Sequence, residues 1–591
     1  MNFLRNFLAS ILGSLFAFGI LFVMFLIFVT LVSSGEDTVT VKDNSILELQ
    51  FQHPISDYTG TNELDPFAGI FEQSQGLDEI LHAIEVAKND DRIKGISINN
   101  NFIIAGLAQT QAIRGALEDF KSNGKFIYAY ADFYMQRDYY LASVADSIFM
   151  NPVGVLDFKG LSTEVLYFKE LQEKSGVKME VIRHGKYKSA VEPYLENNMS
   201  EANRSQLTSL LQSLWNSMVT DISNTRGISE SDLNIIADTL GGRSPKYAKK
   251  SGLVDGVVFY DEYENKLYNA LAVKKQDKIN ISTLNEYVKY SNKKTLRSGD
   301  DKIAVVFAQG EIFYGEGGPN IIGQGIINEA LIKAREDESV KAIVLRVNSP
   351  GGSALTSDII WREVALTKKV KPVIVSMGNV AASGGYYIAA GADKIFAEPT
   401  TITGSIGVFG TVPNMTELAN NIGINAEQVG TNKNAIDYSL FEPMQESFKN
   451  QIQESIEDTY QTFLQRVSEG RNMTMAQVDS VAQGRVWSGT EALEIGLVDE
   501  LGNLDDAISA AAEIASLESY GVKKFPKYKS GFERFMEDLE GASVQFKESL
   551  LKEEIGDEAY KVLKELQSFK EQKGIQARMP FALDIKEIYD V

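Results

Sequence analysis

The residues best placed to do chemistry lie in Ala381-Ala382-Ser383-Gly384-Gly385. Val373 to Met377, just before them, is a short apolar run rich in β-branched residues, the pattern of a buried strand. Tyr386 to Ala392, just after them, combines apolar residues and alanines in a way that suits a buried helix. Ser383 is therefore expected at a strand-to-helix turn, where free backbone N–H groups and the positive helix end can stabilise an oxyanion forming beside its hydroxyl. A serine hydroxyl is a poor nucleophile until a base takes its proton. The chain has no cysteine, which excludes thiol catalysis, zinc–thiolate sites and disulfides. Its three histidines, His53, His82 and His184, stand in no HExxH or H-x-H setting, so neither a histidine triad nor a metal centre is expected. A neutral lysine is the natural base. Lysine titrates near 10.4 in water, so it serves at neutral pH only if burial disfavours its charged form.

The elements that position such a serine belong to a chain of 591 residues, too long for one ordinary core. A hydrophobic share of 44% and a charged share of 23% are those of a folded globular protein. The net charge of -22 argues against a nucleic-acid partner, which usually needs a basic face. Leu8 to Val32 carries no charge and is long enough, at roughly 37 Å as a helix, to span a hydrocarbon core of about 30 Å. Its length and its exit through Val32-Ser33-Ser34-Gly35-Glu36-Asp37 suit an uncleaved anchor rather than a signal peptide. Arg5 precedes it and Glu36 and Asp37 follow, which puts the N-terminus in the cytoplasm and the bulk of the chain outside.

Past the anchor the chain reads as two copies of one unit. Ile93 to Asn101 matches Val340 to Asn348, and Tyr139 to Pro152 matches Tyr386 to Pro399, both at an offset of 247 residues. Gly-Leu-Val-Asp recurs at Gly252 to Asp255 and Gly496 to Asp499, each time after a Gly-Arg pair. A fixed long period is the mark of a duplicated domain. The boundaries expected are residues 1–36 for the N-terminus and anchor, 37–286 for the first repeat, 287–300 for a polar linker, 301–525 for the second repeat and 526–591 for a helical extension. Within the second copy, Ile303 to Phe307, Ala342 to Val347 and Val373 to Ser376 read as strands, and Ala354 to Thr367 and Phe448 to Ser468 as helices. Such alternation implies parallel α/β layers.

The duplication also acts as an internal control. At the offset of 247, Gln136 stands where the second copy has Ser383, and Arg137 and Asp138 stand where it has Gly384 and Gly385. Ile104 and Ala105 oppose Gly351 and Gly352 of the Asn348-Ser349-Pro350-Gly351-Gly352-Ser353 loop. Loss of both sets together is better explained by chemistry confined to the second copy than by turn geometry.

NSPGGS, MGNVAASGGYY, TGSIGVFG and GKYKSAVEPY (Gly185 to Tyr194) together closely resemble the long, duplicated form of the signal peptide peptidase A family, from the anchor to about residue 520. The resemblance implies two tandem domains of Clp protease/crotonase fold behind one transmembrane helix. It also implies a membrane-bound serine peptidase with a Ser-Lys dyad that degrades cleaved signal peptides and other hydrophobic peptides. In these terms Ser383 is the nucleophile, Lys188 of Tyr187-Lys188-Ser189-Ala190 the general base, and Ser405 the residue that aims the lysine's lone pair. Backbone N–H groups of Gly351 or Gly352, with Gly384, form the oxyanion hole. The short form of the family takes its base from a Gly-x-x-Lys setting downstream of the serine, which makes Lys433 the alternative.

The resemblance implies no cofactor and no metal. It places the chain in the inner membrane with its catalytic domains on the periplasmic side, and implies a homotetramer whose dyads form where the N-terminal half of one subunit meets the C-terminal half of the next. Two other readings are open: a catalytically silent scaffold in membrane-protein quality control, and an acyl-CoA enzyme, whose cytoplasmic coenzyme fits an outside domain poorly.

Overall fold

Lys302–Gln309 is apolar along nearly its whole length, and the structure shows why. Ile303, Val305 and Phe307 face one layer, which includes Ala507, Ile508 and Ala511 of the helix Leu504–Ile514. Ala304, Val306 and Ala308 face the other, with Ile327 and Leu331 of the helix Gln324–Glu336. A strand covered on both faces has no side left for polar residues. Each large aliphatic or aromatic side chain buried this way stabilises the sheet by about 1.5–3 kcal/mol. This computed structural model describes residues 2–33, 40–60, 75–274, 278–432, 434–435, 438–528 and 576–579.

The two halves repeat one sheet. In the first, the strand order is Gly256–Val257, Ser147–Met150, Phe126–Ala131, Ile93–Asn99, Ser45–Leu49, Asn280–Thr283, all parallel. In the second, Glu500–Leu501, Lys394–Ala397, Val373–Ala382, Val340–Ser349, Lys302–Gln309 and Gly521–Phe525 follow in the same order, again parallel. The expected strand at Val373 continues to Ala382 because its second half changes partner: Ile374 to Ser376 pair with Lys394–Ala397, whereas Val380 to Ala382 pair with Ile402–Gly404. This extra stretch carries the chain to Ser383.

A third sheet links the halves. Its order is Ile321–Ile322, Glu311–Ile312, Gly351–Ser353, Gln576–Arg578, Val408–Asn414, Lys178–His184. The last of these strands comes from the first half and pairs antiparallel with Val408–Asn414 over seven residue pairs. Other contacts reinforce the link: Asp57 and Arg346 form a buried ion pair at 2.8 Å, and Tyr58 stacks on Phe307 with ring centroids 4.3 Å apart.

Two boundaries differ from expectation. Residues 287–291, assigned above to the linker, finish the helix Leu284–Ser291, which Thr283 caps and which buries Leu284 and Tyr287 in the core of the first half. Its capping box and apolar face outweigh the polar composition around it. In the extension assigned to 526–591, residues 529–575 and 580–591 lie outside the described residues, and the described Gln576–Arg578 is a strand rather than a helix. At the N-terminus, the helix Asn2–Ser33 contains Arg5–Met24, 20 residues of mean hydropathy 2.4 with none of the stretch buried. It is the one helix among the described residues long and apolar enough to cross a membrane.

Candidate active site

Ser383 occupies the expected turn, between the strand Val373–Ala382 and the helix Gly384–Ala389. Its backbone has φ 55° and ψ -115°, a conformation that costs an L-residue on the order of 1–3 kcal/mol and persists only where surrounding contacts impose it. Those contacts are Ser383 N–H donating to Gly404 O at 2.8 Å and Tyr387 N–H donating to Ser383 O at 2.8 Å. Ser405 is also at positive φ, 50°, held by its N–H donating to Arg485 O at 2.6 Å. Two left-handed serines thus face each other across the paired ends of the strands Val373–Ala382 and Ile402–Gly404.

Lys188 approaches from the first half. The strand Lys178–His184 ends at Gly185, whose φ of 110° turns the chain beneath Gln483, and Tyr187 N–H donates to Gln483 O at 2.8 Å. A Cβ on Gly185 would lie 2.6 Å from that carbonyl, and one on Gly484 would lie 2.7 Å from Lys188 Cβ, so both glycines permit the approach. Arg183 Nη1 donates to Lys188 O at 3.2 Å, and Gln206 Nε2 to Tyr187 O at 3.1 Å.

Lys188 Nζ lies 2.9 Å from Ser383 Oγ, 3.0 Å from Ser405 Oγ and 3.1 Å from Ser405 O. All three residues are fully buried. Burial pushes the lysine's pKa well below its ordinary value, and no other cause contributes. Burial thus favours the neutral amine at this position, within hydrogen-bond distance of two hydroxyls and the Ser405 carbonyl. His184, the histidine nearest to it in sequence, is tied instead to Glu457 at 2.8 Å and stacked on Tyr460.

The glycine loop lies on the other side of Ser383. Gly351 (φ 99°) and Gly352 (φ 153°) start the short strand Gly351–Ser353. Gly351 N–H donates to Ser349 Oγ at 3.1 Å. A Cβ on Gly351 would come 2.7 Å from Gly384 N, which measures how closely the loop and the helix start converge. Gly351 thus converges with Gly384, the neighbour of Ser383, whose hydroxyl meets the Lys188 amine that also bonds Ser405, while Gly352 lies against Ile312. Lys433 lies outside the described residues. The contact between Lys188 and Ser383 is made within one chain, which corrects the expectation of a dyad bridging two subunits: the Lys178–His184 strand carries the lysine across.

Sequence reasoning missed Gly484 and Arg485 as supports of the site, although the Gly-Arg pair had marked the repeat. It also missed the strand Gln576–Arg578, too short to carry a periodic signal.

Comparison with known proteins agrees with this architecture. The model of peptidase family S49 matches the chain twice, over residues 119–274 and 365–518, once in each half. Protease 4 of Haemophilus influenzae is 40% identical over 448 residues, covering 74% of this chain and 73% of that one. Protease 4 of Salmonella typhi is 38% identical over 479 residues, covering 80% and 77%. The chloroplastic serine protease SPPA of Arabidopsis thaliana is 32% identical over 486 residues, covering 81% and 70%. Among solved structures, ClpP1 from Listeria monocytogenes aligns with 34% of this chain and 92% of its own, at 18% identity and a TM-score of 0.23. With both halves matched and such relatives covered over more than two thirds of their length, the chain belongs to peptidase family S49 and is a serine peptidase.

Proposed function

We propose that Ser383 is the nucleophile and Lys188 the general base of a membrane-anchored endopeptidase that degrades cleaved signal peptides and other hydrophobic peptides. The observation that carries this reading is the buried, carboxylate-free lysine amine 2.9 Å from the Ser383 hydroxyl. Neutral Lys188 takes the Ser383 proton as Oγ attacks the scissile carbonyl, and Ser405 Oγ holds the amine in line. The N–H groups of Gly384 and Gly352 receive the oxyanion; Gly351 N–H is engaged by Ser349. Lys188 then returns the proton to the departing amine, and water, activated by the same lysine, releases the acyl-enzyme.

The substrate class rests on the apolar N-terminal helix, which would hold the site beside membrane-embedded peptides, and on Arg5 before that helix, which favours an inside N-terminus. A homotetramer in the inner membrane, with the catalytic halves on the outer side, completes the reading. Digestion of synthetic signal peptides by the detergent-solubilised full chain, with the cut sites mapped by mass spectrometry, tests it. Cuts within the apolar segment are expected. Cutting confined to polar, unstructured proteins would reject the substrate class.

A further inference from the structure

One loop of the second half holds both Lys188 and Ser405. Tyr187 N–H donates to Gln483 O at 2.8 Å, Gly484 N–H donates to Ile406 O at 2.8 Å, and Ser405 N–H donates to Arg485 O at 2.6 Å. Three consecutive residues thus fix the backbone next to the base and at the serine that shares its amine. Gln483 is itself in the left-handed region, at φ 55°, a conformation that persists only where contacts impose it.

Tyr460 supplies those contacts. Gln483 N–H and Nε2 donate to Tyr460 OH at 3.4 and 3.3 Å, Nε2 also donates to Asp479 Oδ1 at 2.6 Å, and the Tyr460 hydroxyl donates to the same carboxylate oxygen. The Tyr460 ring is buried and stacks on His184, the last residue of the strand that leads to Lys188, with ring centroids 3.9 Å apart. One side chain therefore touches the lysine's strand and the loop that the lysine rests on. The titratable groups facing it are Asp479 from the following helix, Glu457 from its own helix and His184 from the strand. Burial first, and Asp479 after it, push the phenol's pKa up, so it stays a hydroxyl that donates and accepts at once.

The first half supplies a control. Its helix Glu201–Arg226 has 26 residues, as does Glu446–Arg471, and Trp215 stands along it where Tyr460 stands in the second. In the helices that follow, Glu230–Asp238 and Met475–Val481, Asn234 stands where Asp479 does. Trp215 Nε1 donates to Asn234 Oδ1 at 2.8 Å, so both copies keep the bond from aromatic to polar side chain. An indole N–H only donates, however, and offers nothing to a loop donor. Trp215 packs instead on Phe158, with ring centroids 5.2 Å apart. The copy with the reactive serine is the copy with the accepting hydroxyl.

We propose that Tyr460 is a positioning residue for Lys188: its hydroxyl holds the Gln483–Arg485 loop against Lys188 and Ser405, and so keeps the amine dry and aimed at Ser383. The proposal rests on the assignment of Ser383 and Lys188 made above.

The test is hydrolysis of a synthetic apolar peptide by the detergent-solubilised full chain, with kcat and KM measured across pH, alongside urea unfolding. Tyr460→Phe removes the hydroxyl and keeps the ring. Its kcat should fall about tenfold with KM little changed, the worth of one hydrogen bond. The acid limb of kcat/KM should also move to higher pH, because water reaching the amine raises its pKa. Gln483→Met, which loses the same bonds from the other end, should show both changes, and the double variant should be no worse than the worse single one. An unchanged kcat and pH profile in Tyr460→Phe would overturn the proposal, as would a loss of activity that follows the unfolded fraction while the pH profile stays put. If Tyr460→Phe does not fold, Gln483→Met decides between the same outcomes. Ser383→Ala and Lys188→Ala, run beside them, separate the two readings. Inactive dyad variants with a wild-type Tyr460→Phe overturn the positioning role alone, whereas an active Lys188→Ala overturns the dyad assignment itself.

Discussion

The two halves share six parallel strands in one order, yet only the second brings a serine, a lysine amine and a glycine turn together. The difference lies in what stands at the turn after the third strand of each. In the second half Ser383 is followed by Gly384 and Gly385, and the space around its hydroxyl is taken by Lys188. In the first half Gln136 starts the matching helix Gln136–Ala142, and its side chain closes on the neighbouring loop. Gln136 Oε1 accepts from Lys159 N–H and Gly160 N–H at 3.0 Å each, and its Nε2 donates to Gly160 O at 2.9 Å. Arg137, where the second half has Gly384, donates to Ala105 O at 2.5 Å, and buried Phe158 stands at the offset position of Ser405. The first half thus fills its turn with long side chains, whereas the second keeps glycines there, with Gly351 N–H donating to Ser349 Oγ and Gly351–Ser353 paired with Gln576–Arg578. One fold serves as scaffold or as site according to whether the turn is plugged.

The strongest way to break this comparison is at the dyad. Ser383→Ala should lower peptide hydrolysis by about 10⁴- to 10⁶-fold, Lys188→Ala should do nearly the same, and the double variant should be no worse, because the members of a dyad act as a unit. Additive losses in kcat would show that the two residues work separately. Next in size is the glycine loop. Gly352→Ala places a methyl 2.1 Å from Ile312 O at a φ of 153°, so the loop must shift, and kcat should fall about 10²- to 10³-fold, the effect of losing an oxyanion donor. A pure rise in KM would assign the glycine to binding instead.

The pH dependence sharpens the comparison further. Lys188 must be neutral to accept a proton, so kcat/KM should rise with pH through the lysine's depressed pKa and then level off well below 10.5. The stability sign follows from the same burial. Between its depressed pKa and about pH 10.4 the unfolded chain binds a proton at this lysine that the folded chain does not, so the destabilisation is full below that window and fades as pH rises through it. Lys188→Met should therefore be more resistant to urea than the wild type at neutral pH, with the gap closing as pH approaches 10.4. A constant gap across that range would mean that the lysine is protonated in the folded protein. Ser405→Ala should lower kcat about tenfold, the worth of one hydrogen bond, and shift the pH profile of kcat/KM.

The smallest effect on activity is expected in the first half. Gln136→Ala should leave peptide hydrolysis unchanged while destabilising the fold by about 1–3 kcal/mol, because the N–H groups of Lys159 and Gly160 lose their acceptor. Any gain or loss of turnover would mean that the first half takes part in the reaction through this turn.

Much of this protein was legible in its sequence because the signals are local. The apolar runs at Ile303 and Val373, the helical spacing after Ala354 and the turn at Ser383 each follow from residues adjacent in the chain, and the 247-residue repeat announces two like folds before either is seen. The helix at residues 284–291 escaped because its capping box sits in polar surroundings that resemble a linker. What local pattern could not supply is distance. Two lysines fitted the chemistry equally by type, and only the pairing of Lys178–His184 with Val408–Asn414 sets Lys188 Nζ 2.9 Å from a serine 195 residues away. The depressed pKa of that lysine is likewise a property of its burial rather than of its neighbours in sequence. The strand Gln576–Arg578 makes the same point: three residues carry no period, and their place beside Gly352 is decided by backbone edges that the rest of the fold leaves unpaired.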